Sequence, residues 1–403
     1  MGTYLLRKLI RPLPGIVIRW IPKPAPEVRF GQGIRGGVGE LCRCYRRVLL
    51  VTDKTIVSLG YHHAVVKSLR DAGVGVTLFG DIASEPTTDL IDAGIAAARQ
   101  SSAQCLIALG GGSVLDASKM IAAGVRFPRR RASSLLRRFL FVPHGTLPIL
   151  ALPSTAGTGA EVTVAAMVAN PRTQAKTATV VVGLKVQAVL IDSDLTLRLP
   201  AQVTAACAID ALSHGVEGYL SPMRHGDAAR CLDGVKLVFD TLPRLLATPD
   251  DPEARQAMGR AAYYGGIAIN TRLAGYVHAF AHSIGALYHI PHGNAIALCL
   301  IPVLRFQQRQ CASRLADLAR HCLPADGGDP AQRATDSQAA EQFVAALERL
   351  ILDSGIVRDG SIIRSEDMGR LARMVAADSI NYSAKIVLTT RQIKQLLAEI
   401  RRQ

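Results

Sequence analysis

Residues 105–119 read Cys-Leu-Ile-Ala-Leu-Gly-Gly-Gly-Ser-Val-Leu-Asp-Ala-Ser-Lys. A short apolar run, Cys105 to Leu109, stops at three glycines and gives way to a segment that reads as a helix from Ser113 to Ala123. A run this short, bounded by glycine, suits a strand. Gly110, Gly111 and Gly112 let a ligand come close to the backbone. A helix opening at Ser113 turns its unpaired N–H groups and positive dipole end toward that ligand. A pyrophosphate would be stabilised there. A tight structural turn would use the same glycines, so the stretch takes its weight from its surroundings.

Working outward, strand and helix patterns alternate. Val48 to Thr52 is a β-branched and aliphatic strand ending at Asp53, 59–72 reads as a helix, and Val74 to Phe79 is a second strand. Helical spacing of Leu90, Ile91, Ile95 and Ala98 marks 88–99, and a strand at 148–152 enters the turn Pro153-Ser154-Thr155-Ala156-Gly157-Thr158-Gly159. Strands alternating with helices predict a parallel, doubly wound, Rossmann-like sheet with ligands at the carboxyl ends of its strands. The second turn adds the hydroxyls of Thr155 and Thr158 at the same sheet edge, and the two turns together favour a nucleotide. Asp53 closes the first strand, where its carboxylate would accept from ribose hydroxyls and repel a 2′-phosphate. It also suits the N-cap of the helix after it.

Near Leu199-Pro200 the composition changes to long alanine- and leucine-rich runs of helical period, with breaks near Pro222, Pro243, Asp250–Pro252, Pro302 and Pro324–Pro330. The expected organisation is a basic, apolar extension (1–29), a dinucleotide-binding α/β domain (30–199) and an all-helical metal-binding domain (200–403). The segment 324–338 reads as a flexible loop.

At 403 residues, with 49% hydrophobic and 20% charged residues, the chain can build two ordinary globular cores. The net charge of +15 comes mostly from arginine, and Arg126, Arg129, Arg130, Arg131, Arg137 and Arg138 fall within thirteen residues. No zinc finger, helix-turn-helix or aromatic RNA-binding pattern accompanies them, so no specific nucleic-acid partner is expected and solvated loops are the plainer reading. Eight cysteines fit neither a disulfide framework nor a CxxC zinc site, which points to a reducing, cytoplasmic setting. No apolar run reaches the roughly twenty residues of a membrane span. Tyr4 to Trp20 mixes basic and apolar residues, but Pro12, Pro14, Pro22, Pro24 and Pro26 interrupt it. It reads as an extension packed on the protein, with peripheral membrane contact as the minority alternative.

In the helical half, Asp210-Ala-Leu-Ser-His214 is followed by His278-Ala-Phe-Ala-His282, which runs on to Pro291-His292-Gly293. Asp210 and His214 are four residues apart and project from one helix face, as do His278 and His282. A carboxylate with several imidazoles is what a borderline divalent metal takes. Five candidates are present where four suffice, and spacing does not choose among them.

These motifs resemble the iron-containing (group III) alcohol dehydrogenases. The likeness runs from about Arg29 to the C-terminus, carried in order by Phe30-Gly31-Gln32-Gly33, Val51-Thr52-Asp53, GGGSVLDASK (110–119), PSTAGTGAEVT (153–163), DALSHGVEGYL (210–220) and HAFAHSIGALYHIPHG (278–293). It implies a metal held by Asp210, His214, His278 and His292, with His282 unligated beside the nicotinamide as the catalytic proton relay. It implies cofactor contacts at Asp53, Gly110, Gly111, Gly112, Ser113, Asp116, Lys119, Thr155, Thr158 and Lys176. The expected activity is NAD-dependent alcohol dehydrogenation, a reversible metal-assisted hydride transfer between a primary alcohol or small diol and its aldehyde. Iron(II) is the implied metal with zinc as the alternative, NAD is preferred over NADP, and a homodimer is expected. The competing readings are a zinc-dependent polyol dehydrogenase of the same superfamily and a non-catalytic, membrane-associated binding protein. The chain is similar in particular to a branch with a basic, apolar N-terminal extension and an altered C-terminal segment, here Asn381-Tyr382-Ser383-Ala384-Lys385, and it departs from the family pattern after Gly293.

Overall fold

The computed structural model describes residues 19–82, 85–172, 175–223, 226–324 and 334–403. Most of the 1–29 extension and of the 324–338 loop lies outside the described residues, as does the side chain of Lys176. The described chain divides into two compact units, one of residues 21–199 and one from residue 200 to 403 together with Arg19 and Trp20.

The first unit carries strands β1 (Glu27–Gly31), β2 (Arg47–Asp53), β3 (Gly75–Ile82), β4 (Cys105–Gly110), β5 (Phe139–Phe141), β6 (Ile149–Pro153), β7 (Ala165–Asn170), β8 (Ala175–Val182) and β9 (Val186–Asp192). Its helices are α1 (Val38–Leu41), α2 (Lys54–Ser58), α3 (His62–Asp71), α4 (Thr88–Gln100), α5 (Gly112–Gly124) and α6 (Ala132–Leu135). Six strands form a parallel sheet in the order β1-β9-β6-β4-β2-β3, matching the doubly wound pattern expected. β4 is buried along its whole length, as a run of apolar residues between two helical layers must be. The strand β1 straddles position 29, and its pairing with β9 (Glu27 opposite Ala188, Phe30 opposite Ile191) joins that segment to the sheet.

Two differences from the sequence reading are instructive. The helix expected over 59–72 is split into α2 and α3, because Gly60 takes a left-handed conformation (φ 72°) between them. A second, three-stranded sheet, β5-β8-β7, was not anticipated; its β7–β8 pair is antiparallel.

The second unit is helical, as expected: α7 (Ala201–Leu220), α8 (Ala228–Ala247), α9 (Pro252–Arg272), α10 (Tyr276–Tyr288), α11 (His292–Cys322), α12 (Asp336–Asp353), α13 (Met368–Asp378) and α14 (Thr390–Ile400). Helix α7 is the hub, packed against α8, α9 and α11. Pro243 and Pro302, expected to break helices, instead lie inside α8 and α11. Pro243 is on the exposed face, where water can satisfy the carbonyl it strands. Pro302 is buried in the run Ile296–Leu304, whose packing offsets a helix-interior proline cost of about 3 kcal/mol. Among the described residues, no helix is long and apolar enough to cross a membrane.

Candidate functional site

Helix α7 presents Asp210 and His214 one turn apart, both 3% exposed, from the middle of a helix buried on most sides. His278, also 3% exposed, comes from the first turn of α10, and His292 is the first residue of α11, with Pro291 as its N-cap. Between them α10 ends on His289, whose left-handed backbone (φ 56°) turns the chain back. The Nε2 atoms of His292, His214 and His278 lie 3.3, 3.5 and 3.6 Å from one oxygen, Asp210 Oδ1. A tetrahedral shell with bonds of roughly 2.1 Å sets its donors about 3.4 Å apart, so these separations are those of ligands around one ion. Asp210 Oδ1 and His278 Nε2 are buried and make no hydrogen bond. Leaving such groups unmatched costs about 1–3 kcal/mol each, and a cation would satisfy them together. Asp210, His214 and His278 also meet as a compact metal-capable group.

The protonation states agree with that fit. Burial would raise the Asp210 pKa, but the imidazoles of His214, His292 and His278 hold it well below the usual carboxylate range. Burial pushes His214 down to about 3, leaving a neutral imidazole. Burial also disfavours a charged His278, but the facing Asp210 and Glu217 carboxylates outweigh it and raise that group to about 9. A cation taking Nε2 would displace that extra proton.

His282 stands apart from the donor set. Its Nδ1 is 2.5 Å from the Tyr382 hydroxyl and 3.7 Å from Asp378 Oδ2, while its ring packs at 5.0 Å from that of His292. Burial, with His292 and His278 nearby and against the pull of Asp378, lowers His282 to about 4. Burial and the Asp378 charge push the Tyr382 hydroxyl well above its ordinary value, so it stays protonated. Neither Tyr382 nor Glu217 was singled out from sequence. Glu217 shares the α7 face of Asp210 at i+7, a spacing too common among helical carboxylates to be diagnostic.

The first unit assembles the other candidates. Gly110 opposite Pro153 brings the two turns side by side, and Ser154 N–H donates to Gly110 O at 3.0 Å. A Cβ on Gly112 would meet Thr158 Cγ2 and Oγ1 at 3.1 Å, and one on Gly111 would meet Thr155 at 3.4 Å. A side chain at Gly112 would thus crowd Thr158, whereas one at Gly111 would just touch Thr155, at the head of α5, a helix with no side-chain cap. Helix α5 begins at Gly112 and takes in Ser113 in its first turn. Asp53 closes β2 and its Oδ1 accepts the Ile56 N–H at 2.9 Å, the N-cap role expected. Asp116 and Lys119 serve as struts behind the turn. Lys119 is 1% exposed and its Nζ donates to Asp116 Oδ1, Thr163 Oγ1 and Ala165 O, while Asp116 Oδ2 accepts the Met167 N–H. Burial lifts Glu161, beside them, to about 7, against the pull of a backbone N–H and of Lys119. Lys176 is on β8 opposite Ala169.

Comparison with known proteins is consistent along the whole chain. Residues 25–193 match the family described as iron-containing alcohol dehydrogenase, and residues 204–401 match its C-terminal family. A 1,3-propanediol dehydrogenase of Klebsiella pneumoniae is 31% identical, over 89% of this chain and 93% of its own length. An NAD-dependent methanol dehydrogenase of Bacillus methanolicus is 28% identical, over 92% and 97%. The crystal structure of a 1,3-propanediol oxidoreductase, 29% identical, superposes with a TM-score of 0.86 over 95% of this chain and all of that one. The chain belongs to the iron-containing alcohol dehydrogenases, oxidoreductases acting on CH–OH groups.

Proposed function

We propose that the protein is an NAD-dependent alcohol dehydrogenase acting reversibly on a primary alcohol or small diol. Asp210, His214, His278 and His292 hold the metal, and the Gly110–Ser113 and Thr155–Thr158 turns hold the dinucleotide. The observation that carries this reading is the convergence of three imidazole nitrogens on Asp210 Oδ1, with that oxygen and His278 Nε2 both buried and without a hydrogen bond. A 1,3-propanediol dehydrogenase, a methanol dehydrogenase and a long-chain-alcohol dehydrogenase among the relatives support an alcohol substrate without fixing its chain length.

When bound, the divalent metal supplies a Lewis acid and NAD a hydride acceptor. The chain's own groups do the rest. His214 and His278 enter the shell from helices anchored in the core, so the donors are fixed before anything binds. In the tautomer protonated at Nδ1, His282 donates to the Tyr382 oxygen, and its Nε2 is left to accept the alcohol proton. The first turn of α5 offers N–H groups and a positive dipole end to a pyrophosphate. Asp53 excludes a 2′-phosphate and offers an oxygen to a ribose hydroxyl. Lys119 and Asp116 act indirectly, holding residues 163–167 behind the turn. The eight cysteines are all free thiols, which supports a reducing, cytoplasmic setting.

The test is metal analysis of the purified protein followed by an alcohol panel with NAD and NADP. Stoichiometric iron with NAD-linked oxidation of primary alcohols or small diols is expected. Stoichiometric zinc with a preference for polyols would favour the polyol dehydrogenase reading, for which the Asp-His₃ set is equally suited. A protein that retains no metal and oxidises no alcohol would overturn the proposal.

A further inference from the structure

We infer that Glu217 is the positioning residue of the metal centre, fixing His278 with its proton on Nδ1 and its Nε2 lone pair turned toward the other donors. This rests on the metal reading above and deepens it. Glu217 lies on α7 seven residues after Asp210 and three after His214, so all three share one face of one helix. It is 5% exposed, and a carboxylate is not buried to that degree without firm partners. Its Oε2 is 2.6 Å from His278 Nδ1, and its Oε1 accepts the Val277 N–H at 2.7 Å.

Each contact has a consequence. A carboxylate accepts, so Nδ1 keeps its proton and donates, and the proton that a cation displaces from the ring is the one on Nε2, leaving the lone pair there. That Nε2 is buried, makes no hydrogen bond and lies 3.6 Å from Asp210 Oδ1. The second contact pins the helix itself. Val277 is in the first turn of α10, and Gly275, at its N-cap, supplies no side chain to cap it. Glu217 therefore caps α10 from another helix and puts a negative charge at its positive end. One side chain thus fixes both the ring of His278 and the backbone that carries it.

Gly275 makes room for this. Its backbone (φ −124°) is one that any residue can adopt, yet a Cβ there would come within 2.6 Å of Glu217 Oε1. The glycine is needed for space rather than for conformation.

The substitution Glu217→Gln separates positioning from support. Glutamine can still accept the Val277 N–H through its oxygen, but its amide then faces Nδ1 as a donor. That demands a lone pair on Nδ1 and a proton on Nε2, the wrong tautomer for a cation. Flipping the amide would set two N–H groups against each other at Val277. The experiment is zinc(II) affinity by chelator competition on the full chain, with thermal melting in excess chelator as the measure of support. Glu217→Gln is expected to weaken zinc binding 10–100-fold, the usual effect of losing a partner of a ligating histidine, while melting in chelator matches wild type. Gly275→Ala, which displaces the carboxylate without removing it, is expected to weaken binding in the same direction. Wild-type affinity in Glu217→Gln would overturn this inference and leave the metal reading standing. A loss of affinity matched by an equal loss of melting temperature in chelator would make Glu217 a mere support and also overturn it. A wild-type chain that takes up no zinc or iron would overturn both readings.

Discussion

The two units recognise their ligands in opposite ways. In the α/β unit the candidate nucleotide site is built from backbone and from the absence of side chains, with Gly110 set against Val114, Gly111 against Thr155 and Gly112 against Thr158. In the helical unit the candidate metal site is built from ionisable side chains placed in a dry core, with Asp210, His214 and His278 each 3% exposed. The first is sensitive to added volume at Gly110 and Gly112. The second tolerates little change at Asp210, His214 or His278, because losing one of these donors leaves buried polar atoms unmatched.

That contrast can be broken or sharpened by substitution, and the largest effect should come at the metal site. His292→Ala removes one donor of four and should lower turnover on the order of 10³-fold, several kcal/mol of Lewis-acid stabilisation. Metal content by elemental analysis should fall with it, whereas NAD affinity should not. Full occupancy in the variant would take His292 out of the shell.

His282→Ala should lower alcohol oxidation by roughly 10²-fold while leaving metal content and NAD affinity near wild type. Its ring contacts the donor set without joining it, so a metal-free variant would show that His282 is a ligand after all. Near-normal kcat from pH 6 to 9 would reduce it to a wall of the pocket.

In the α/β unit, Asp53→Gly should narrow the preference for NAD over NADP in kcat/KM by about 1.5–3 kcal/mol, the scale of a charged hydrogen bond. Stability should change by only a few tenths of a kcal/mol, because glycine is itself a tolerable N-cap in place of the Ile56 acceptor. A wild-type enzyme working better with NADP would remove Asp53 from the ribose.

The smallest effect concerns Glu161, whose pKa burial raises from 4.5 to about 7. An acid with a raised folded-state pKa holds its proton in the folded chain where the unfolded chain has released it. Stability from this group is therefore complete below about pH 4.5, declines from there to about pH 7, and is level above. Glu161→Gln should gain on wild type by on the order of 1 kcal/mol between pH 5 and pH 8, read from denaturant midpoints. Parallel midpoints at both pH values would show that Glu161 is ionised throughout.

The parts of the fold that were legible in sequence are those with one dominant signal. Strand β4 and helix α5 were readable because an apolar run, three glycines and a helical stretch follow each other without interruption. The second sheet was not, since β5 is only Phe139–Phe141 amid arginines and β7 is the alanine-rich Ala165–Asn170, with little β propensity. At the site, i,i+4 spacing exposed Asp210, His214, His278 and His282, but the roles of His282 and His292 depend on how the chain turns at His289. The structure puts His292 Nε2 3.3 Å from Asp210 Oδ1 and gives His282 Nδ1 to Tyr382. Periodicity along one helix carries no information about such contacts between helices.

The pairing of β1 with β9 has a consequence for synthesis. Gly33 N–H and the Arg35 guanidinium are locked to Asp192, and the Gly33 partner is 159 positions later in the chain. Translation therefore delivers β1 first, yet leaves it without its neighbour until almost the entire α/β unit has emerged. Contacts of such long sequence separation form slowly, and an unpaired strand in the meantime is an invitation to pair with another chain. The segment Glu27-Val-Arg-Phe-Gly carries a charge of each sign, and Arg29 donates to Glu27 at 2.6 Å. Two charges in five residues are the kind of gatekeeping that keeps a waiting strand from aggregating on the ribosome.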